Sequence, residues 1–134
     1  LEVQLPFLQR IYPGVPLVPL LFGSVDPVAV GGVLNEQLGA RDLVLVSSDL
    51  SHYHSDETAR RLDRAFIDAV LAGDGDVVQR GEACGQGPLR TLMHLAEERQ
   101  WQPHLLDYRT SGDTAGDRQQ VVGYAALAYT ERDA

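Results

Sequence analysis

Residues 43–54, Leu-Val-Leu-Val-Ser-Ser-Asp-Leu-Ser-His-Tyr-His, constrain this chain most. The stretch opens with four consecutive aliphatic residues, the pattern of a strand buried on both faces, as in a parallel sheet. It then turns polar and ionisable with no Gly or Pro to mark the change. Side chains at the carboxyl end of a parallel strand face the crevice where open α/β sheets bind ligands. Packing gives no reason to place Ser48, Asp49, Ser51, His52 and His54 at such an edge, so binding or activation is expected there.

Around this stretch, helical and strand patterns alternate, which predicts an α/β fold: a central mixed, mainly parallel sheet flanked by helices. A short amphipathic helix is expected over 1–12, a buried strand over 15–21 and a helix over 27–38 ending at Gly39. The strand over 43–47 follows, and then a helix over 56–72. Ser55 or Asp56 caps this helix, Leu62, Phe66, Ala69 and Val70 form its core stripe, and Gly73 ends it. A short helix over 74–82, a helix from about Pro88 to Gln100, a strand over 104–109, a polar loop over 110–117 and a strand over 121–129 complete the reading. A length of 134 residues fits one domain with a sizeable core.

Charge removes several function classes. The net charge is −8, all eleven basic residues are Arg, and they form no basic patch, which argues against nucleic acid as a partner. The longest apolar run, Val15 to Phe22, is too short to span a bilayer and contains two prolines, so no membrane association is expected. One cysteine, Cys84, excludes an intrachain disulfide and suits a reducing, cytoplasmic setting. Without Lys there is no Gly-x-x-x-x-Gly-Lys phosphate loop, and neither Gly-x-Ser-x-Gly nor Cys-x-x-Cys occurs.

Three polar islands remain. In the first, Asp49 can orient or charge-stabilise His52, and His52 can ligate a metal or act as an acid/base near neutral pH. The plainer reading makes Asp49 a turn cap and His52 a solvated loop residue. Ser48, Asp49 and His52 lie too close in sequence to align as nucleophile, orienter and base. In the second, Cys84 precedes a glycine-flanked helix start, where a thiolate is favoured and makes a nucleophile or soft metal ligand. A lone cysteine is equally a small buried hydrophobe. In the third, Ser111-Gly112-Asp113-x-x-Gly116-Asp117 either binds polar substrate groups or a metal, or is a tight loop with Asx turns. Its acidic spacing does not meet the calcium-loop pattern.

Four motifs in order over nearly the whole chain resemble the Memo-like family, which includes AmmeMemoRadiSam system protein B. They are Leu1-Glu2-Val3-Gln4-Leu5-Pro6-Phe7-Leu8, Ser47-Ser48-Asp49-Leu50-Ser51-His52, Cys84-Gly85 before a helix, and Thr110-Ser111-Gly112-Asp113 with Val121-Val122-Gly123-Tyr124-Ala125-Ala126. The resemblance implies a class III extradiol dioxygenase-like fold with a non-haem iron or copper site. Two His of an N-terminal half and the cysteine matching Cys84 would ligate the metal. Asp49 and His52 would lie beside it, His52 in the place where the dioxygenases keep a catalytic acid/base.

Members of that family are about twice as long, so residues 1–134 are expected to be the C-terminal portion of a longer protein. The first hypothesis is a metal-dependent, dioxygenase-like oxidoreductase with Cys84 on the metal, His52 as a ligand or general acid/base oriented by Asp49, and Ser48, Ser111 and Asp113 on a small-molecule substrate. The second is a non-catalytic binding or scaffold protein holding a peptide or small anion in the same pocket. An open sheet edge would let the chain pair with itself as a homo-oligomer.

Overall fold

The computed structural model describes residues 2–131. Leu1, the first residue of the expected helix over 1–12 and of the first family motif, lies outside the described residues. A 3-10 turn at Glu2–Gln4 leads into α1 (Leu5–Ile11), with Pro6 in its first turn. α2 (Pro27–Gln37) starts where Asp26 accepts from the Val28 amide. α3 (Asp56–Ala72) is capped by Ser55, whose hydroxyl accepts from the Thr58 amide, and ends at Gly73 with φ +74°, a conformation that favours glycine. α4 (Gly75–Arg80) and α5 (Gln86–Glu98) follow, each near its expected place.

The fold is α/β. Its sheet holds three strands in the order β1 (His52–His54), β3 (Val121–Thr130), β2 (Gln102–Thr110), and both pairings are antiparallel. This differs from the expected mainly parallel sheet. β2 and β3 form a long hairpin, and a hairpin connection makes neighbours antiparallel. The segments 15–21 and 43–47, expected as buried strands, have no ladder partner among the described residues and carry no strand assignment. Their aliphatic runs satisfy the composition of a strand, but a strand exists only when a neighbour takes its backbone groups. The loop expected over 110–117 contains one short helix, α6 (Gly112–Ala115).

The core lies between α3 and the sheet. Leu50, Phe66, Ile67, Val70, Val78 and Leu89 are buried together, with Val46, Leu105, Tyr108, Leu127 and Tyr129 packed against them. Fully burying each aliphatic side chain contributes about 1.5–3 kcal/mol. The buried residues of α3 are Asp56, Ala59, Asp63, Phe66, Ile67, Ala69 and Val70, a helical stripe that contains two acids. The expected stripe had Leu62 in it, but Leu62 is only half-buried and Asp63 takes the inward position.

α2 lies across α5. Gly31 sits so close that a Cβ there would be 2.8 Å from His94 Cδ2, and the Thr91 hydroxyl donates to the Pro27 carbonyl at 3.1 Å. At the end of α2 the Arg99 guanidinium donates to the Asn35 and Leu38 carbonyls, each at 2.9 Å, which satisfies carbonyls that a helix terminus leaves free.

Candidate functional site

The apolar run at 43–46 delivers Ser48 and Asp49 to the point where the chain bends into β1. There the backbone is held from both sides. The Leu50 amide donates to the Gly123 carbonyl, and the Gly123 amide donates to the Ser51 carbonyl, both at 2.9 Å. Asp49 and His52 therefore face each other across one turn, with Asp49 Oδ2 3.0 Å from His52 Nε2. Burial would raise the Asp49 carboxyl, but the adjacent Cys84 thiol and His52 imidazole, with the local backbone, outweigh it and hold the group below the usual carboxylate range. Its other oxygen, Oδ1, is shielded from solvent and has no hydrogen-bond partner among the described residues.

Cys84 reaches the same place from a distant part of the chain. It precedes Gly85, the N-cap of α5, and is exposed. Ser48 links the two segments. Its hydroxyl accepts from the Gly85 amide at 2.9 Å, donates to the Asp49 carbonyl at 2.8 Å and lies 3.7 Å from the Cys84 sulfur. Gly85 is required here, because a Cβ would come within 2.7 Å of Ser48 Cβ. Ser48, Asp49, His52 and Cys84 thus form one group at the amino end of α5.

The residue after His52 is strained. Tyr53 has φ 61°, a conformation rare for a bulky side chain, and sits where the β1–β3 register shifts. The bulge turns its ring outward beside His52, with centroids 5.9 Å apart, and leaves it 74 % exposed. His54 Nε2 lies 2.7 Å from Glu82 Oε2, so this imidazole is held by a carboxylate.

Ser111 and Asp113 are brought to a different cluster. The Ser111 hydroxyl accepts from the Val122 amide, and Asp113 accepts from the Thr110 amide at 2.9 Å and pairs with Arg60 at 2.6 Å. Arg60 also binds Asp56, which takes a 2.6 Å hydrogen bond from the Thr110 hydroxyl and a 3.0 Å pair from Arg118. Hydrogen bonds from Thr110 and Arg60 hold Asp56 low, Arg60 does the same for Asp113, and the two carboxylates in turn push the Arg60 guanidinium up. No hydrogen bond or ion pair among the described residues joins this cluster to the Asp49–His52–Cys84 group.

The sequence reading missed Asp63. This residue is 2 % exposed and accepts from the Ser51 amide at 2.9 Å and from the Tyr108 hydroxyl at 2.7 Å. Burial, then the Asp63 carboxylate, push the Tyr108 phenol well above its ordinary range, which keeps it a neutral donor. A signal was available: an acid on the apolar stripe of an amphipathic helix is out of place unless something inside binds it.

The donor chemistry of the group is a thiol, an imidazole and a partnerless carboxylate oxygen, which suits a soft or borderline metal ion. Among the described residues no cluster of three or more His, Cys, Asp or Glu is arranged to hold an ion, so these donors make a partial set. No helix among the described residues is long and apolar enough to cross a membrane.

A sequence model described as Memo-like protein matches residues 1–128. Among curated relatives, a MEMO1 family protein of Archaeoglobus fulgidus is 39% identical over 141 aligned positions, covering 96% of this chain and 54% of that protein. One from Desulfurococcus amylolyticus is 37% identical, covering 96% and 50%. One from Methanosarcina mazei is 36% identical, covering 95% and 53%. The chain spans about half the length of the curated relatives it matches.

Proposed function

The chain belongs to the Memo-like protein family, and on that premise we propose that Cys84, His52 and Asp49 form one wall of a non-haem metal site, with iron or copper as the ion. The observation that carries this reading is the convergence of Ser48, Asp49, His52 and Cys84 from two segments far apart in sequence. Cys84 and His52 would hold the ion, and further ligands would come from polypeptide beyond the described residues. When bound, such an ion polarises a small oxygen-containing substrate as a Lewis acid.

The chain's own groups have separate tasks. Asp49 fixes the His52 ring through Nε2, which leaves the other ring nitrogen either to hold the ion or to move a proton. Ser48 holds the Gly85 amide and so keeps the thiol at the amino end of α5, beside Asp49 and His52. The mainly parallel, dioxygenase-like sheet belongs to the same proposal. In it, the extended segments 15–21 and 43–47 take strand neighbours that these residues do not provide.

Total metal in purified protein, measured by elemental analysis beside intact mass, tests the reading. Near-stoichiometric iron or copper that disappears in Cys84→Ala and falls in His52→Ala supports it. Metal-free protein at the mass of this chain sinks it for this polypeptide.

A second reading is a binding module for a peptide or small anion, favoured by the exposed Tyr53 ring at the rim. Its mark is partner affinity that survives metal removal.

A further inference from the structure

We propose that Asp63 is a positioning residue, holding the Ser51 peptide so that the turn from Asp49 to His52 closes. The proposal rests on the reading of Asp49, His52 and Cys84 as one site. Ser51 lies inside that turn and is itself 2 % exposed. Its carbonyl is held by the Gly123 amide of β3, and its amide is held by Asp63 Oδ1 at 2.9 Å. The second carboxylate oxygen is fixed by the Tyr108 hydroxyl of β2. Gly123 provides the space, since any Cβ there would overlap Asp63 Oδ2. One carboxylate on α3 thus ties β2 to the turn, whose other side is held by β3.

The choice of residue is informative. Among the described residues the donors on Asp63 are a backbone amide and a phenol, both neutral, and a buried carboxylate bound by neutral donors is costly to desolvate. An aliphatic residue would suit the α3 stripe better but would leave the Ser51 amide buried without an acceptor. Among the described residues Asp63 makes no hydrogen bond to Asp49, His52 or Cys84, so its effect on them passes through the backbone.

The test compares Asp63→Ala, Asp63→Asn and a control, Val78→Ala, which opens the core on α4 at a buried residue outside the group of Ser48, Asp49, His52 and Cys84. Two quantities are read: affinity for iron(II) and for copper(I), each alone against a chromophoric chelator, and amide hydrogen exchange at Ser51 and His52. Asp63→Ala should weaken metal binding about tenfold, as loss of a supporting partner behind a ligand does. Asp63→Asn keeps an acceptor for the Ser51 amide and should restore most of the affinity, and Val78→Ala should lower thermal stability without changing it. Asp63→Ala no weaker than Val78→Ala, or Asp63→Asn no better than Asp63→Ala, overturns the proposal.

If the unsubstituted chain binds neither ion, the metal reading fails and exchange decides alone. Ser51 exchange clearly faster in Asp63→Ala than in Val78→Ala upholds the positioning role, and equal exchange overturns it. Should Asp63→Ala not fold, Tyr108→Phe, which removes the donor on Oδ2, is judged against Val78→Ala by the same criterion.

Discussion

Asp63 and Gly123 are one feature written at two positions. The carboxylate occupies the volume in which any side chain at 123 would begin. Gly123→Ala is therefore expected to cost about 1–3 kcal/mol, as overpacking of a dense core does. Urea unfolding should show a lower midpoint with an unchanged slope, and an unchanged midpoint would mean that Asp63 can move aside freely. Gly85 makes a similar demand where the Cys84 segment meets Ser48. Neither glycine has a positive φ, so a turn signal in the sequence would not have found them. Their need comes from a neighbour distant in sequence, and only the folded chain supplies that neighbour. Ser48, Asp49, His52 and Cys84 could be singled out from their residue types and from their places after an aliphatic run and before a helix start. That Ser48 is the link between the two segments was not.

Among the elements, α3 was read most accurately, because its signals are local: a Ser cap, an apolar stripe and a closing Gly. Its amino end carries a function of another kind. Asp56, Arg60, Asp113, Arg118 and Thr110 tie the start of α3 to the end of β2 and to the loop before β3. Asp56 and Asp113 are held below their ordinary values in the folded chain. The unfolded state therefore binds more protons in the acid range, and stability there rises with pH. The contribution should be fully present above the ordinary carboxylate value of about 4 and lost as pH falls through the lower folded values. Denaturation midpoints measured from pH 7 downward should fall more steeply for the parent chain than for Asp113→Asn. Parallel curves would place the pairs among exposed contacts of little net worth. Ser111 and Asp113, expected to touch substrate, are engaged in this framework, and a sequence that displays polar residues cannot tell whether protein groups already occupy them.

At the scale of the molecule, the segments 15–21 and 43–46 present apolar side chains with no ladder neighbour among the described residues. Val18 is 84 % exposed, Leu21 93 % and Leu43 68 %. Segments without a ladder neighbour beside exposed aliphatic surface invite pairing. Sedimentation velocity should show association that grows with concentration and is suppressed in Val18→Lys with Leu21→Lys, and a monomer at every concentration would exclude it. Local periodicity, caps and turn residues were enough to place α2, α3, α5, β2 and β3, because those signals act within a few residues. The family was also legible, since its motifs survive in order along the chain. The antiparallel pairing of β1, β3 and β2, the lack of a ladder partner for 43–47 among the described residues and the inward role of Asp63 were decided by the tertiary structure alone. Each depends on which groups meet across tens of residues, and hydrogen-bond pairing and burial are properties of that meeting rather than of any single stretch.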